Sequence, residues 1–128
     1  MNENLPVVDV AKIRMAINAE VPLTITTYTL PHRMELYMNA VLTTFFKELH
    51  QEHMIQYLIY CQNELVTNAK KANTKRIYFK EKNLDITEQS DYEKGMKTFK
   101  SDTLENISFY LAKQKEAGLY VKLVLQVK

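Results

Sequence analysis

The alternation of apolar and polar positions divides the chain into seven predicted elements, in the order helix, strand, helix, helix, strand, helix, strand. Apolar spacings of three and four residues indicate helices, and a spacing of two indicates strands. The predicted helices cover residues 9–18, 31–49, 53–72 and 90–117, and the predicted strands cover residues 21–30, 75–81 and 119–128.

The last predicted strand has the clearest alternation in the chain. Residues 119–128 place Leu, Val, Leu, Leu and Val at every second position, which is typical of a half-buried strand. Gly118 precedes this strand and is expected to end the helix before it, because glycine is favoured just after a helix. The alternation is still running at Lys128, so we expect a truncated domain or a fragment.

Two further signals concern the helix at residues 90–117 and the short strand before it. Ser90 and Glu93 have the spacing of a capping box, which predicts that this helix begins at Ser90. In the segment "KRIYFKE", residues 75–81, Ile77 and Phe79 are expected on one face of a strand and Tyr78 on the other.

This order of elements predicts the α+β class, with helices packed on one face of a small mixed sheet. The length of 128 residues suits a single domain, 1–128. Within it, residues 1–30 form an N-terminal helix and strand, and residues 31–128 form a helical layer with the strands that follow it.

Composition narrows the function classes only slightly. Hydrophobic residues make up 46% and charged residues 25% of the chain, and the net charge is +2, which is too small to indicate nucleic acid by itself. Cys61 is the single cysteine, so a disulfide framework is excluded and a reducing, cytoplasmic setting is favoured. No apolar run reaches membrane-spanning length, and the first ten residues predict no secretory signal.

The stretch "NELVTNAKKANTKRIYF", residues 63–79, carries the candidate chemistry. Glu64, Asn68 and Lys71 fall within an arc of about 60° on the predicted helix, beside its apolar stripe. A carboxylate can act as a base, an amide oxygen can bind Mg²⁺, and an ammonium can contact phosphate. Spacing alone leaves a second interpretation open, in which all three are ordinary polar residues at the border of the core.

The same stretch resembles the N-box of the histidine-kinase-like ATPase superfamily, also called the GHKL or Bergerat fold. In that family, a helix with an E/N-x-x-x-N-A-x-K/D-A/H pattern is followed at once by a strand. The resemblance implies that Glu64 is catalytic, that Asn68 binds Mg²⁺, and that Asn68 and Lys71 contribute to ATP binding. It further implies an N-terminal part of a Bergerat-type α/β sandwich.

Other motifs of that family are absent from these residues. Its Asp-x-Gly-x-Gly box, which reads adenine, and its glycine-rich lid need several glycines, and the chain has only Gly95 and Gly118. The resemblance therefore implies a bacterial cytoplasmic signalling protein of ATPase type, with little or no ATP binding by these 128 residues alone.

An alternative function is a non-catalytic interaction or dimerisation module. The helices at Met34–Leu49 and Met54–Ala72 are apolar enough to pair with copies of themselves. His32 lies at a predicted helix start, where it is either a structural histidine or a phosphoryl acceptor. His50 and His53 are spaced so that they could share a metal ion. Cys61 is expected to be a buried, unreactive thiol. A basic cluster could contact nucleic acid, but a solvated helix face explains it as well; it comprises Lys70, Lys71, Lys75, Arg76, Lys80 and Lys82.

Overall fold

The computed structural model describes residues 7–128. It contains six α-helices, one short 3-10 helix and two strands among these residues. In chain order they are α1 (Val10–Ala19), β1 (Leu23–Thr27), α2 (His32–Glu48), the 3-10 helix (Glu52–Met54), α3 (Ile55–Glu81), α4 (Gln89–Met96), α5 (Phe99–Glu105), α6 (Ile107–Glu116) and β2 (Val121–Leu125). The predicted α+β class is confirmed.

The sheet of the described residues consists of β1 and β2, which pair antiparallel. The mixed sheet of the prediction is therefore wrong. Leu23 lies opposite Leu125 and Ile25 lies opposite Leu123, so the apolar side chains of both strands share one face. That face packs on the helices, whereas the alternate residues of both strands point to solvent.

Two apolar clusters join the sheet to α1, α2 and α3. Ile13 of α1 packs with Val41 and Phe45 of α2 against β1 and β2. Met38 of α2 packs with Val66 of α3 in a neighbouring cluster that also includes Leu30 and Val121. The apolar stripe predicted for residues 31–49 is therefore the inner face of α2, and it is buried within the chain.

The prediction of a strand at residues 75–81 is wrong, because α3 continues as a helix to Glu81. Ile77, Tyr78 and Phe79 are all buried, at relative exposures of 6%, 0% and 1%. Three consecutive buried side chains need cover on more than one side of the backbone. The helix satisfies this need because α5 and α6 pack against it and add a second apolar layer.

Tyr78 holds this second layer to α3. Its ring lies 5.3 Å from that of Phe99 and 5.9 Å from that of Tyr110, measured between centroids. Its hydroxyl donates a hydrogen bond of 2.8 Å to Asp102 and is also bonded to the Thr98 hydroxyl. Burial raises the pKa of Tyr78, so this phenol stays protonated as a donor.

The segment predicted as one helix at residues 90–117 forms α4, α5 and α6, with breaks at residues 97–98 and at Asn106. The first of these helices begins one residue before the predicted start. Its N-cap is Glu88 rather than Ser90, because the Glu88 carboxylate accepts hydrogen bonds from the backbone N–H groups of Ser90 and Asp91. The predicted role of Gly118 is confirmed: it follows α6 with φ of 72°, a conformation that glycine adopts without strain.

No helix within residues 7–128 has the length and the apolar character needed to cross a lipid bilayer. The predicted absence of a secretory signal concerns residues 1–10, of which residues 1–6 lie outside the described part of the chain.

Substitution of Gly95 tests whether α4 packs closely on the C-terminal part of α3. A Cβ atom at this buried position would lie 2.5 Å from the Phe79 ring. We expect Gly95→Ala to lower the free energy of unfolding by about 1–3 kcal/mol, as overpacking does, although alanine normally favours a helix. Urea denaturation measures the change.

Ser101→Ala is the control for this measurement, because Ser101 is exposed on α5 and its hydroxyl bonds only a neighbouring carbonyl. An unchanged or raised stability of Gly95→Ala would mean that Phe79 does not pack against α4.

Candidate functional site

The predicted site residues lie together on one side of α3. Glu64, Asn68 and Lys71 are all exposed. The apolar stripe expected beside them comprises Leu58, Leu65 and Ala72. Leu58 is half-buried, whereas Leu65 is 70% exposed and Ala72 is also exposed. The three residues therefore lie on an open surface of the described chain and not at the border of its core. We refer to Glu64, Asn68 and Lys71 as the α3 stripe.

The stripe residues have no structural partner among residues 7–128. Other polar residues of α3 are engaged: the Gln62 amide donates to Asn39 at 3.1 Å, and the Asn73 amide donates to the Tyr120 carbonyl at 3.2 Å. Both of these residues are buried. The carboxylate, amide and ammonium groups of the α3 stripe are therefore open to solvent, which fits a ligand site and fits the ordinary polar surface of a helix equally well.

The local context of the stripe differs from the one that the resemblance implies. A strand was expected directly after it, but α3 continues to Glu81. The same helix face that is open at Glu64 becomes covered at Tyr78 by α5 and α6. The stripe therefore ends against the second helical layer rather than at the edge of a sheet.

A cavity of about 520 Å³ opens where α3 meets α5 and α6. Four lysines border it: Lys70, Lys71 and Lys75 from α3 and Lys100 from α5. Its other lining residues are Thr67, Thr74, Met96, Phe99, Thr103, Leu104, Ile107, Tyr110, Leu111 and Gln114. We call this space the lysine cavity. It shares only Lys71 with the α3 stripe.

The sequence predicted no cavity here. The predicted basic cluster includes the three α3 lysines of the lining, but its two interpretations were a surface for nucleic acid and a solvated helix face. Lys100 and Gln114 lie in the segment 90–117, for which the pattern predicts a single helix. The turn at Asn106 redirects the chain, so that side chains from α5 and α6 face the same space.

A second opening, of about 340 Å³, runs along the outer edge of β2. All five residues of β2 border it, together with Leu58, Cys61, Leu65 and Ala69 of α3. We call it the β2 groove. The Cys61 thiol was predicted to be buried; the residue is half-buried and lines this groove.

The histidines form no metal site with their neighbours. His32 begins α2, as predicted, and its side chain is 81% exposed. His50 and His53 are exposed at the 3-10 turn. In the part of the chain that the structure describes, no group of three or more His, Cys, Asp or Glu side chains could hold a metal ion.

Comparison with known proteins adds one relative without a described function. No family model matches the chain. No solved structure matches it either. A protein of Treponema pallidum (strain Nichols), described as an uncharacterized protein, is 55% identical over 121 residues. The match covers 94% of this chain and 24% of the relative, so the chain spans about a quarter of that protein's length.

The absence of partners for the α3 stripe predicts how these residues affect stability. We expect Glu64→Ala, Asn68→Ala and Lys71→Ala each to change the free energy of unfolding by less than about 0.5 kcal/mol, as exposed substitutions usually do. Asn73→Ala, on the same helix, should lower it by about 1–3 kcal/mol, because it removes a buried hydrogen bond. Urea denaturation compares the four variants. A loss at Glu64 or Asn68 as large as that at Asn73 would show that the stripe has a structural role.

Proposed function

We propose that the α3 stripe forms the magnesium- and phosphate-facing wall of a nucleotide site, in a bacterial cytoplasmic signalling protein that resembles histidine-kinase-like ATPases. The observation that carries this proposal is the position of Glu64, Asn68 and Lys71. They lie on one side of one helix, exposed to solvent and without partners among the described residues. The N-box pattern of "NELVTNAKKA" supports the assignment of their roles.

The chemistry of the stripe fits a hydrated magnesium ion bound to phosphates. Mg²⁺ prefers oxygen ligands and is usually held by one or two protein groups, with water and substrate phosphates completing its shell. The Asn68 amide oxygen is such a ligand, and the Glu64 carboxylate can hold one of the metal-bound waters. A bound Mg²⁺ would supply neutralisation of phosphate charge.

Lys71 and Glu64 have distinct roles in this proposal. The Lys71 ammonium binds a phosphate oxygen as a point charge, and its long side chain lets it reach phosphate from the helix surface. The Glu64 carboxylate accepts a proton from a water, as a general base does. Adenine recognition is not assigned to any residue of this chain, so we expect the 128-residue protein to bind Mg-ATP weakly and to hydrolyse little of it.

Titration of the isotope-labelled protein with Mg-ATP tests this function by NMR. We expect amide shift changes centred on Glu64, Asn68 and Lys71, with a dissociation constant of about 1 mM, which corresponds to roughly −4 kcal/mol. Replacing part of the Mg²⁺ by Mn²⁺ should broaden the same resonances, because Mn²⁺ is paramagnetic and accepts the same oxygen ligands.

Asn68→Ala should remove the broadening by Mn²⁺, whereas the control Asn63→Ala, exposed on the same helix, should leave it unchanged. Shift changes confined to another part of the chain, or broadening that persists in Asn68→Ala, would refute the assignment.

A second candidate function is self-association, and the open edge of β2 favours it. The apolar face of Met34–Leu49 is largely used within the chain, because α2 buries Met38, Val41, Leu42 and Phe45. The helix Met54–Ala72 keeps Tyr57, Tyr60 and Leu65 exposed. The outer edge of β2 pairs with no strand of the described residues and borders the β2 groove. Such an edge is a template for strand pairing.

The occupant that we propose for this edge is β2 of a second copy. Antiparallel pairing centred on Leu123 places Val121 opposite Leu125 of the copy, so the apolar rows of the two sheets become continuous. On the outer face, Lys122 then lies opposite Val124 of the copy, so no two lysines oppose each other. This pairing is self-complementary, as a two-fold dimer requires, and it covers the exposed Leu65.

Analytical ultracentrifugation over about a hundredfold range of protein concentration tests the dimer. We expect the mean mass to rise toward that of two chains as the concentration increases. Leu65→Glu, in the β2 groove, should keep the protein monomeric because it places a charge in an apolar interface. The control Tyr57→Glu, at an equally exposed position of α3, should not. A monomer at all concentrations, or equal effects of the two substitutions, would argue against the β2 interface.

A further inference from the structure

The lysine cavity is lined by apolar side chains and by lysines. Met96, Phe99 and Leu111 are half-buried apolar residues of this lining, and we call them its floor. Its ionisable groups, apart from the Tyr110 phenol, are all lysines. Over the whole chain, 17 lysines and arginines are nearly balanced by 15 aspartates and glutamates, so a cavity lined by four lysines and no carboxylate departs from the average surface.

One of the four lysines is already engaged by the protein. The Lys75 ammonium lies 3.5 Å from the Tyr92 hydroxyl and 5.8 Å from the centre of that ring. It also lies 5.9 Å from the centre of the Phe99 ring. Lys70 and Lys71 of α3 and Lys100 of α5 form no ion pair within residues 7–128. They leave three cationic groups in the lining for an anion.

A buried amide adds a polar group to the wall. Gln114 is only 1% exposed, and its side-chain nitrogen donates a hydrogen bond to the Thr74 hydroxyl. Both residues line the cavity, and they tie α6 to α3. This hydrogen bond therefore joins the α3 and α6 walls of the cavity.

We propose that the lysine cavity binds an amphiphilic anion, with an apolar chain against the floor and a carboxylate head group between Lys70 and Lys100. The volume of about 520 Å³ lies in the range of small-molecule sites, which are mostly apolar with a few placed polar groups. A nucleotide fits this lining less well, because most of its surface is polar. The assignment does not rest on the nucleotide function of the α3 stripe.

The absence of tryptophan from the chain allows a clean fluorescence test. Leu104 lines the cavity and is 61% exposed, so Leu104→Trp introduces a single reporter that the fold can accommodate. Decanoate is the probe, titrated below its micelle concentration. We expect a saturable blue shift of the tryptophan emission, and a markedly weaker effect of 1-decanol, which has the same chain without the charge. Calorimetry on the unsubstituted protein checks that the reporter does not create the site.

Lysine variants decide whether the head group binds where we place it. In the reporter background, the double substitution Lys70→Ala and Lys100→Ala should raise the dissociation constant of decanoate about tenfold. The control is the double substitution Lys94→Ala and Lys97→Ala, which removes the same charge from exposed positions outside the cavity. It should change the dissociation constant less than about twofold. Asn68→Ala should leave it unchanged, which separates this site from the nucleotide stripe. No saturable binding of decanoate, or equal losses in the two lysine pairs, would overturn the proposal.

Discussion

Burial of Tyr78 and Phe79 at the C-terminal end of α3 is the interaction on which the other features depend. These two aromatic side chains hold α4, α5 and α6 against the helix, through ring contacts and through the bond from Tyr78 to Asp102. Without them, the apolar cluster that joins α3 to the second helical layer would lose two of its four buried residues. The lysine cavity would then lose one of its walls, and the α3 stripe would lose the layer against which it ends.

The long helix also explains how three separate surfaces come to lie close together within residues 7–128. One side of α3 carries the stripe, a neighbouring side forms a wall of the lysine cavity, and the side opposite the cavity borders the β2 groove. Their chemistry differs. The stripe offers polar groups without apolar cover, the cavity offers cations above an apolar floor, and the groove offers apolar side chains beside an unpaired strand edge. A single helix can serve all three because its faces point in different directions.

Sequence patterns predicted the elements that are covered on one side only. The helices α1 and α2 and the strands β1 and β2 each bury one face, so their apolar residues recur with a clear period. The end of α3 is covered on more than one side, and its run "IYF" therefore has no helical period. Such a short apolar run, rich in aromatic and β-branched residues, has the composition of a strand. Packing against α5 and α6 overrides that local preference.

The sequence likewise predicted one part of the candidate site and not the other. The common side of Glu64, Asn68 and Lys71 followed from helix geometry, because the three lie within one regular helix. The lysine cavity could not be derived, since it depends on the turn at Asn106, where neither proline nor glycine marks a break. The capping of α4 by Glu88 was missed for a related reason: Ser90 fits a familiar pattern, but the carboxylate two residues earlier reaches the free N–H groups.

Backbone chemical shifts of residues 74–81 test the central claim most directly, namely that α3 is one continuous helix past Lys70 and Lys71. The account predicts helical Cα shifts without interruption from Thr74 to Glu81, with cross-relaxation between amides of successive residues. Strand-type shifts beginning near Lys75 would contradict it. In that case the helix would end where the N-box resemblance places a strand, and neither the anchor at Tyr78 nor the lysine cavity could exist as described.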